Sequence, residues 1–298
     1  MVSTGKQQER LAILVLLLAT SFWGATFVVV KSGISQMPFV PYMAIRFTIA
    51  FALLAIMRPR ALAVPRRTLL QGLVLGAIAF LGYLFQTIGL QYTSASVSGF
   101  VTGMFVVLTP LFGWVLFRDH IGLAVWVAVI LAGIGLGLIS LHGWAFGVGE
   151  AWTLAGAALW ALQIIGFARF STRENAYTLG TLMIGVVAVC FMAVAVPQGL
   201  EAPPNANVWW GILGTAVFAT ALAFPLQSWG QSHLDATRAA LIFSMEPVFA
   251  TIGGVLFGGD VLGVRGWLGG ACILGAIFVA EFGGKAAPEP DPLPHPSM

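Results

Sequence analysis

The chain has 298 residues, 59% hydrophobic and 8% charged, with a formal net charge of +3 and a mean hydropathy of +0.94. A soluble domain is nearer a quarter charged, so a soluble enzyme is excluded. The basic residues are scattered through loops and form no stripe that could track nucleic acid.

Ten apolar segments follow one another, at 11–32, 38–57, 69–91, 95–117, 121–140, 149–168, 177–198, 208–231, 235–257 and 262–282. Each is about twenty residues, the length that crosses a 30 Å hydrocarbon core. All are expected to be α-helices, because a segment in lipid must satisfy its own backbone. A barrel would show short alternating strands instead. The fold class is therefore all-α integral membrane, with ten transmembrane helices.

The first segment carries Trp23 at depth and lacks a small-residue cleavage site. More segments follow it, so it reads as a retained helix and not a signal peptide. The second carries Arg46 near its middle, where a charge costs roughly 2.5–3.5 kcal/mol and faces the bundle interior or a wet cavity. Arg46 fits a structural hydrogen bond that fixes packing better than a binding role. The third holds Tyr83 and Gln86, three apart and on one helical face. The fourth contains Pro110, which removes a backbone bond and is expected to bend its helix. In the sixth, Gln163 follows Trp160 by one turn. The eighth contains Pro225 and Gln227, and the ninth Glu246 followed by Pro247. Glu246 is balanced between a transport role and a packing role, and it could pair with Arg46. Residues 283–298 hold five alternating prolines from Pro288 to Pro296 and are expected to be a disordered cytoplasmic tail.

The segments form two similar sets. Residues 80–126 align without gaps on 221–267: Leu81 meets Leu222, Gln86 meets Gln227, Met104 meets Met245, Asp119 meets Asp260 and Trp126 meets Trp267. Such self-similarity marks an internal repeat. Two repeats follow, 11–140 and 149–282. An odd number of spans in each inverts the second, the usual build of secondary transporters. In this alignment Pro247 faces Val106 and Pro110 faces Thr251. The kinks are thus expected to lie one turn apart, with unequal inner and outer gates.

Orientation follows the basic residues. With the N-terminus in the cytoplasm, that side receives Lys6, Arg10, Arg58, Arg60, Arg66, Arg67, Arg118, Arg169, Arg173, Arg238 and Lys285. The outer side receives Lys31 and Arg265. Both termini are expected in the cytoplasm. Tryptophans near segment ends, such as Trp126, Trp144, Trp209, Trp210 and Trp267, read as an interfacial belt.

Trp23, Tyr83 and Trp160 are the expected walls of a solute pocket, with Gln86, Gln163 and Gln227 supplying hydrogen bonds. Any one of them alone is more often packing. Arg46, Pro110, Pro225, Glu246 and Pro247 are the gating or structural candidates. Gly99/Gly103, Gly133/Gly137 and Gly266/Gly270 have the spacing of close helix contacts. No Gly-rich phosphate loop ends in Gly-Lys-Ser/Thr, no metal-ligand spacing is present, and Cys190 and Cys272 lie inside segments. No cofactor, metal or disulfide is expected, and no enzyme activity.

Phe22-Trp23-Gly24, Arg46, Thr93-Ser94-Ala95 and Ala239-Ala240-Leu241-Ile242-Phe243-Ser244-Met245-Glu246-Pro247 together resemble the EamA family of the drug/metabolite transporter superfamily. The resemblance covers about 10–282. It implies a 5+5 inverted-repeat bundle in the bacterial inner membrane, in which the first four helices of each repeat surround a central cavity. Within the family the chain is similar to YddG-type exporters of aromatic amino acids and methyl viologen. Glu246 has no acidic counterpart in the first half, where Leu108-Thr109-Pro110 stands, which argues against a two-acid coupling scheme. The expected function is export of small amphipathic metabolites, aromatic amino acids above all, by alternating access. The alternative is a drug, organic-cation or other metabolite carrier of the same superfamily; a non-transporting scaffold fits less well. The expected partners are the solute and the lipid bilayer, with the protein a monomer or weak homodimer.

Overall fold

Helix is the way an apolar chain satisfies its backbone without water, and it dominates the computed structural model of this protein. The structure describes residues 2–59, 64–118, 122–142, 145–172, 175–231, 233 and 242–283. Outside them lie residues 235–241 of the ninth predicted segment, Arg60, Arg173, Arg238, Lys285, Trp144, Asp119 and the proline-rich tail from 284.

The helices are α1 (Val2–Ile34), α2 (Phe39–Met57), α3 (Arg66–Tyr92), α4 (Ala95–Gly103), α5 (Phe105–Phe117), α6 (Leu123–Ser140), α7 (Val148–Phe170), α8 (Ala176–Ala195), α9 (Ala206–Ala216), α10 (Ala223–Gln231), α11 (Glu246–Phe257) and α12 (Val264–Gly283). A π-helical stretch, Val217–Leu222, joins α9 to α10. Two-residue strands, Leu141–His142 and Ala145–Phe146, pair antiparallel between α6 and α7. Among the described residues, seven helical stretches are long and apolar enough to cross a membrane: α1, α2, α3, α4 with α5, α7, α8, and α9 continued toward Gln227. Helices α6, α11 and α12 are shorter and apolar.

Helix ends follow local chemistry. Ser94 accepts the Val97 N–H at 3.1 Å to cap α4, and Asn205 accepts the Val208 N–H at 3.0 Å to cap α9. Arg118 closes α5 in the left-handed region, at φ 60° and ψ 30°.

Helices α2, α3, α8 and α9 share one core, built on Tyr42, Phe47, Leu75, Ile184, Phe191 and Ile212. A second core joins α4, α5, α6 and α12 through Phe100, Met104, Val107, Ile273 and Ile277. Helix α1 packs on α9, α10 and α11, while α4 packs on α7 and α11. Helices α6 and α12 meet at Gly135 and Gly269, where a Cβ on either would stand 2.6–2.7 Å from the other's carbonyl oxygen. Predicted Gly133 makes no such contact, with nothing within 4 Å of its Cβ position. Gly99 and Gly103 do face a partner: a Cβ on Gly99 would collide with Ala250, and one on Gly103 would lie 2.6 Å from Pro247 Cγ.

The helix breaks are not where the prolines are. Helix α4 ends and α5 begins at Met104, whose N–H bonds to Val101 O at 3.2 Å while Leu108 N–H bonds to Met104 O at 2.9 Å. Met245 N–H bonds to Ile242 O at 3.1 Å, and Phe249 N–H bonds to Met245 O at 3.0 Å. Each residue of the second set stands 141 positions after its counterpart in the first. This corrects the expectation of kinks one turn apart: the breaks coincide in the repeat, and only the prolines are displaced. Pro110 lies inside an unbroken α5. Pro247 occupies the first turn of α11, where a missing N–H removes no intrahelical bond. Pro225 comes closest to its expected effect. It follows the π-helical stretch, in which the Ala223 N–H reaches Phe218 O.

Polar ties hold the two ends of the bundle. At one end Lys31 Nζ donates to the Leu90 and Thr93 carbonyls, Thr93 Oγ1 donates to Glu150 Oε1 at 2.7 Å, and Ser96 donates N–H and hydroxyl to Asp260 Oδ2 at 2.8 and 2.7 Å. At the other, Tyr177 OH donates to Leu54 O at 2.8 Å beneath the Arg58 guanidinium, 5.5 Å from the ring.

Candidate functional site

Tyr83 on α3 and Trp160 on α7 meet edge to face, with ring centroids 4.6 Å apart and planes at 83°. The contact depends on Gly82, where an added Cβ would lie 3.3 Å from the indole. Tyr83 also packs on Phe47 of α2 at 4.5 Å, and Phe47 stacks on Phe191 of α8 at 5.9 Å.

Trp23 on α1 has a matching position. Its ring meets Phe224 edge-on at 6.4 Å and 61°, and Phe243 at 5.7 Å. Phe224 stands 141 positions after Tyr83, so each half contributes a tryptophan set on the same repeat residue of the other half's helix. Trp23 Nε1 donates to Ala219 O at 2.9 Å, inside the π-helical stretch that precedes Pro225.

Arg46 is 4% exposed on α2. Its Cζ lies 4.9 Å from the Phe47 centroid and 5.9 Å from that of Tyr83. Its Nε has no acceptor. Glu246 opens α11 and is partly exposed. Its carbonyl lies 3.0 Å from the Cβ position of Gly24, beside Trp23. Arg46 and Glu246 form no ion pair among the described residues. The expected structural hydrogen bond for Arg46 is thus not made.

Two of the three predicted amides are tied to a neighbouring helix. Gln86 Nε2 donates to Thr102 Oγ1 at 3.1 Å and ties α3 to α4. Gln163 Nε2 approaches Met183 Sδ at 3.3 Å and ties α7 to α8. Gln227 is partly buried in α10, and its side chain makes no hydrogen bond among the described residues. Phe47, Phe224 and Phe243 were missed in the sequence. The repeat offset pointed to Phe224 as the partner of Tyr83, and adjacency to Arg46 pointed to Phe47.

A groove of about 490 Å³ lies elsewhere, between α1 and α9, lined by Phe22, Val29, Gln36, Trp210, Phe218 and Phe257. Trp210 is 72% and Phe257 81% exposed. The groove is therefore on the bundle's outer flank, away from the Tyr83–Trp160 pair.

The EamA-like transporter family matches the chain twice, over residues 10–141 and 147–282. An uncharacterized transporter of Archaeoglobus fulgidus is 31% identical over 267 residues, covering 89% of this chain and 84% of that one. The uncharacterized transporter YetK of Bacillus subtilis is 27% identical, covering 93% of this chain and 87% of its own. The threonine/homoserine exporter RhtA of Salmonella typhimurium is 27% identical over 274 residues, covering 87% and 88%. A solved crystal structure superposes with a TM-score of 0.64 at 20% identity, over 90% of this chain and 96% of its own, a likeness of fold.

Proposed function

We propose, for a chain that belongs to the EamA-like transporter family, that it exports small amphipathic metabolites, aromatic amino acids foremost, by alternating access. The route runs between two five-span halves of opposite orientation in a bacterial inner membrane, with both termini cytoplasmic. The observation that carries this reading is the duplicated aromatic pair, Trp160 on Tyr83 and Trp23 on Phe224. A solute ring held there would gain about 0.5–1.5 kcal/mol per well-set aromatic contact beyond area burial.

Helix packing supports the inverted repeat. The contact of α1 with α11 is answered by α7 with α4 and α5, and that of α1 with α10 by α7 with α3. The contact of α2 with α9 is answered by α8 with α3, and α6 meets its own counterpart α12. Exchange of partners between halves is what a two-fold axis relating them requires, and an odd number of spans per half would lay that axis in the membrane plane. The matching breaks at Met104 and Met245 supply two equivalent hinges, flanked by Pro110 and Pro247, and the π-helical stretch before Pro225 supplies a third flexible point. The eleven-to-two bias of basic residues supports the orientation.

A second reading is favoured by the Salmonella relative, whose name gives threonine and homoserine as its solutes. Counterflow in proteoliposomes across the twenty amino acids and homoserine separates the two. Phenylalanine, tyrosine and tryptophan should exchange fastest. Exchange confined to threonine and homoserine moves the assignment to the second reading, and no exchange of any solute overturns both.

A further inference from the structure

We infer that the central site is built for a zwitterion: Arg46 takes the solute's carboxylate and Glu246 its ammonium. This rests on the transport reading above and names the substrate class of that same site.

Arg46 is the stronger half of the argument. A guanidinium presents five N–H donors and no acceptor, and buried polar groups in folded proteins are nearly always hydrogen-bonded. Arg46 is 4% exposed, donates no hydrogen bond and forms no ion pair among the described residues. Phe47 and Tyr83 offer it ring faces only. A ring face satisfies the charge in part and leaves the in-plane N–H edges free. Those edges match a carboxylate, which they bind through two parallel hydrogen bonds.

Glu246 supplies the opposite charge. It sits in the first turn of α11, where a helix N-terminus favours an anion, and its side chain has no hydrogen-bond partner among the described residues. It is partly exposed, and its backbone carbonyl faces Gly24 of α1. Two opposite charges in one apolar bundle would neutralise each other if they met, and these do not. An α-amino acid carries the complementary pair of charges at one end and its side chain at the other. The side chain then meets the aromatic pairs, Tyr83 with Trp160 and Trp23 with Phe224. An organic cation would satisfy Glu246 but leave Arg46 buried and unpaired, and a monocarboxylate would do the reverse.

The test uses counterflow of phenylalanine in proteoliposomes, with phenethylamine, which lacks the carboxylate, and 3-phenylpropionate, which lacks the ammonium, as competitors. Wild type should be inhibited weakly by either. Arg46→Gln should weaken phenylalanine exchange at least about tenfold, the loss expected for a charge-assisted hydrogen bond, and should strengthen inhibition by phenethylamine. Glu246→Gln should weaken phenylalanine exchange and strengthen inhibition by 3-phenylpropionate. A misfolded variant cannot gain affinity for an analogue, so the exchange of preferences separates recognition from stability. Phenethylamine carried by wild type as well as phenylalanine overturns the assignment, as do variants that lose phenylalanine with no change in analogue preference. If wild type carries no amino acid at all, the transport reading itself fails. If it carries threonine alone, the same comparison is made with 1-aminopropan-2-ol and 3-hydroxybutyrate.

Discussion

Trp160 stands edge-on to Tyr83 at 4.6 Å, and neither side chain belongs to the same half of the chain as the other. The two rings therefore stay together only while α3 and α7 keep their register. A contact of this kind can grip a flat solute in one state and release it in another. Trp160→Ala should lower phenylalanine exchange several-fold more than threonine exchange, at matched membrane expression. Trp160→Phe should keep most of the difference. Equal losses for both solutes would remove Trp160 from the site.

The crossing of α4 over α11 makes a stability prediction. A Cβ on Gly99 would collide with Ala250, whereas one on Gly133 meets nothing within 4 Å. Gly99→Ala should destabilise by about 1–3 kcal/mol through overpacking. Gly133→Ala should be neutral or slightly stabilising, since alanine is the better helix former. Thermal unfolding in detergent, followed by size exclusion, ranks the two. A Gly99→Ala protein as stable as wild type would contradict the closeness of that crossing.

The helices were legible because twenty-residue apolar runs have few alternatives in lipid. The breaks were not, although Met104 and Met245 already aligned in the repeat. Pro110 and Pro247 are the loudest local signals, and both sit comfortably in helix. The break positions depend instead on how α4 and α11 cross at Gly99, Gly103, Pro247 and Ala250, which is a tertiary fact. Gln86 and Gln163 were legible as intramembrane amides, but periodicity could not show that each is committed to a neighbouring helix through Thr102 or Met183. Phe224 was overlooked because the repeat was read through identities, and Tyr83 aligned with phenylalanine breaks identity while keeping the ring.

Topology can be checked on two exposed positions at opposite ends of the bundle. Gln36 accepts from Asn205 Nδ2 at 2.9 Å at the Lys31 end. Arg58 lies at the Tyr177 end. In a background lacking Cys190 and Cys272, a cysteine at Gln36 should react with a membrane-impermeant maleimide in intact spheroplasts, and one at Arg58 only after lysis. The reverse pattern would invert the protein and exchange its gates.

A zwitterion carries no net charge, so a site that binds one between Arg46 and Glu246 moves no charge with its solute. A carrier that moved one unit charge would gain or lose about 2.3 kcal/mol per 100 mV of membrane potential. Here the initial rate of phenylalanine uptake should be unchanged by a potassium diffusion potential set with valinomycin, and by an imposed pH step of one unit. Glu246 would then be occupied by the solute's ammonium during transit, which leaves it no proton to carry. Glu246→Gln should slow exchange by weakening binding without creating or removing dependence on either gradient. Uptake that concentrates phenylalanine when the pH step is imposed, and loses only that concentration in Glu246→Gln, would make Glu246 a proton site and reject the electroneutral scheme.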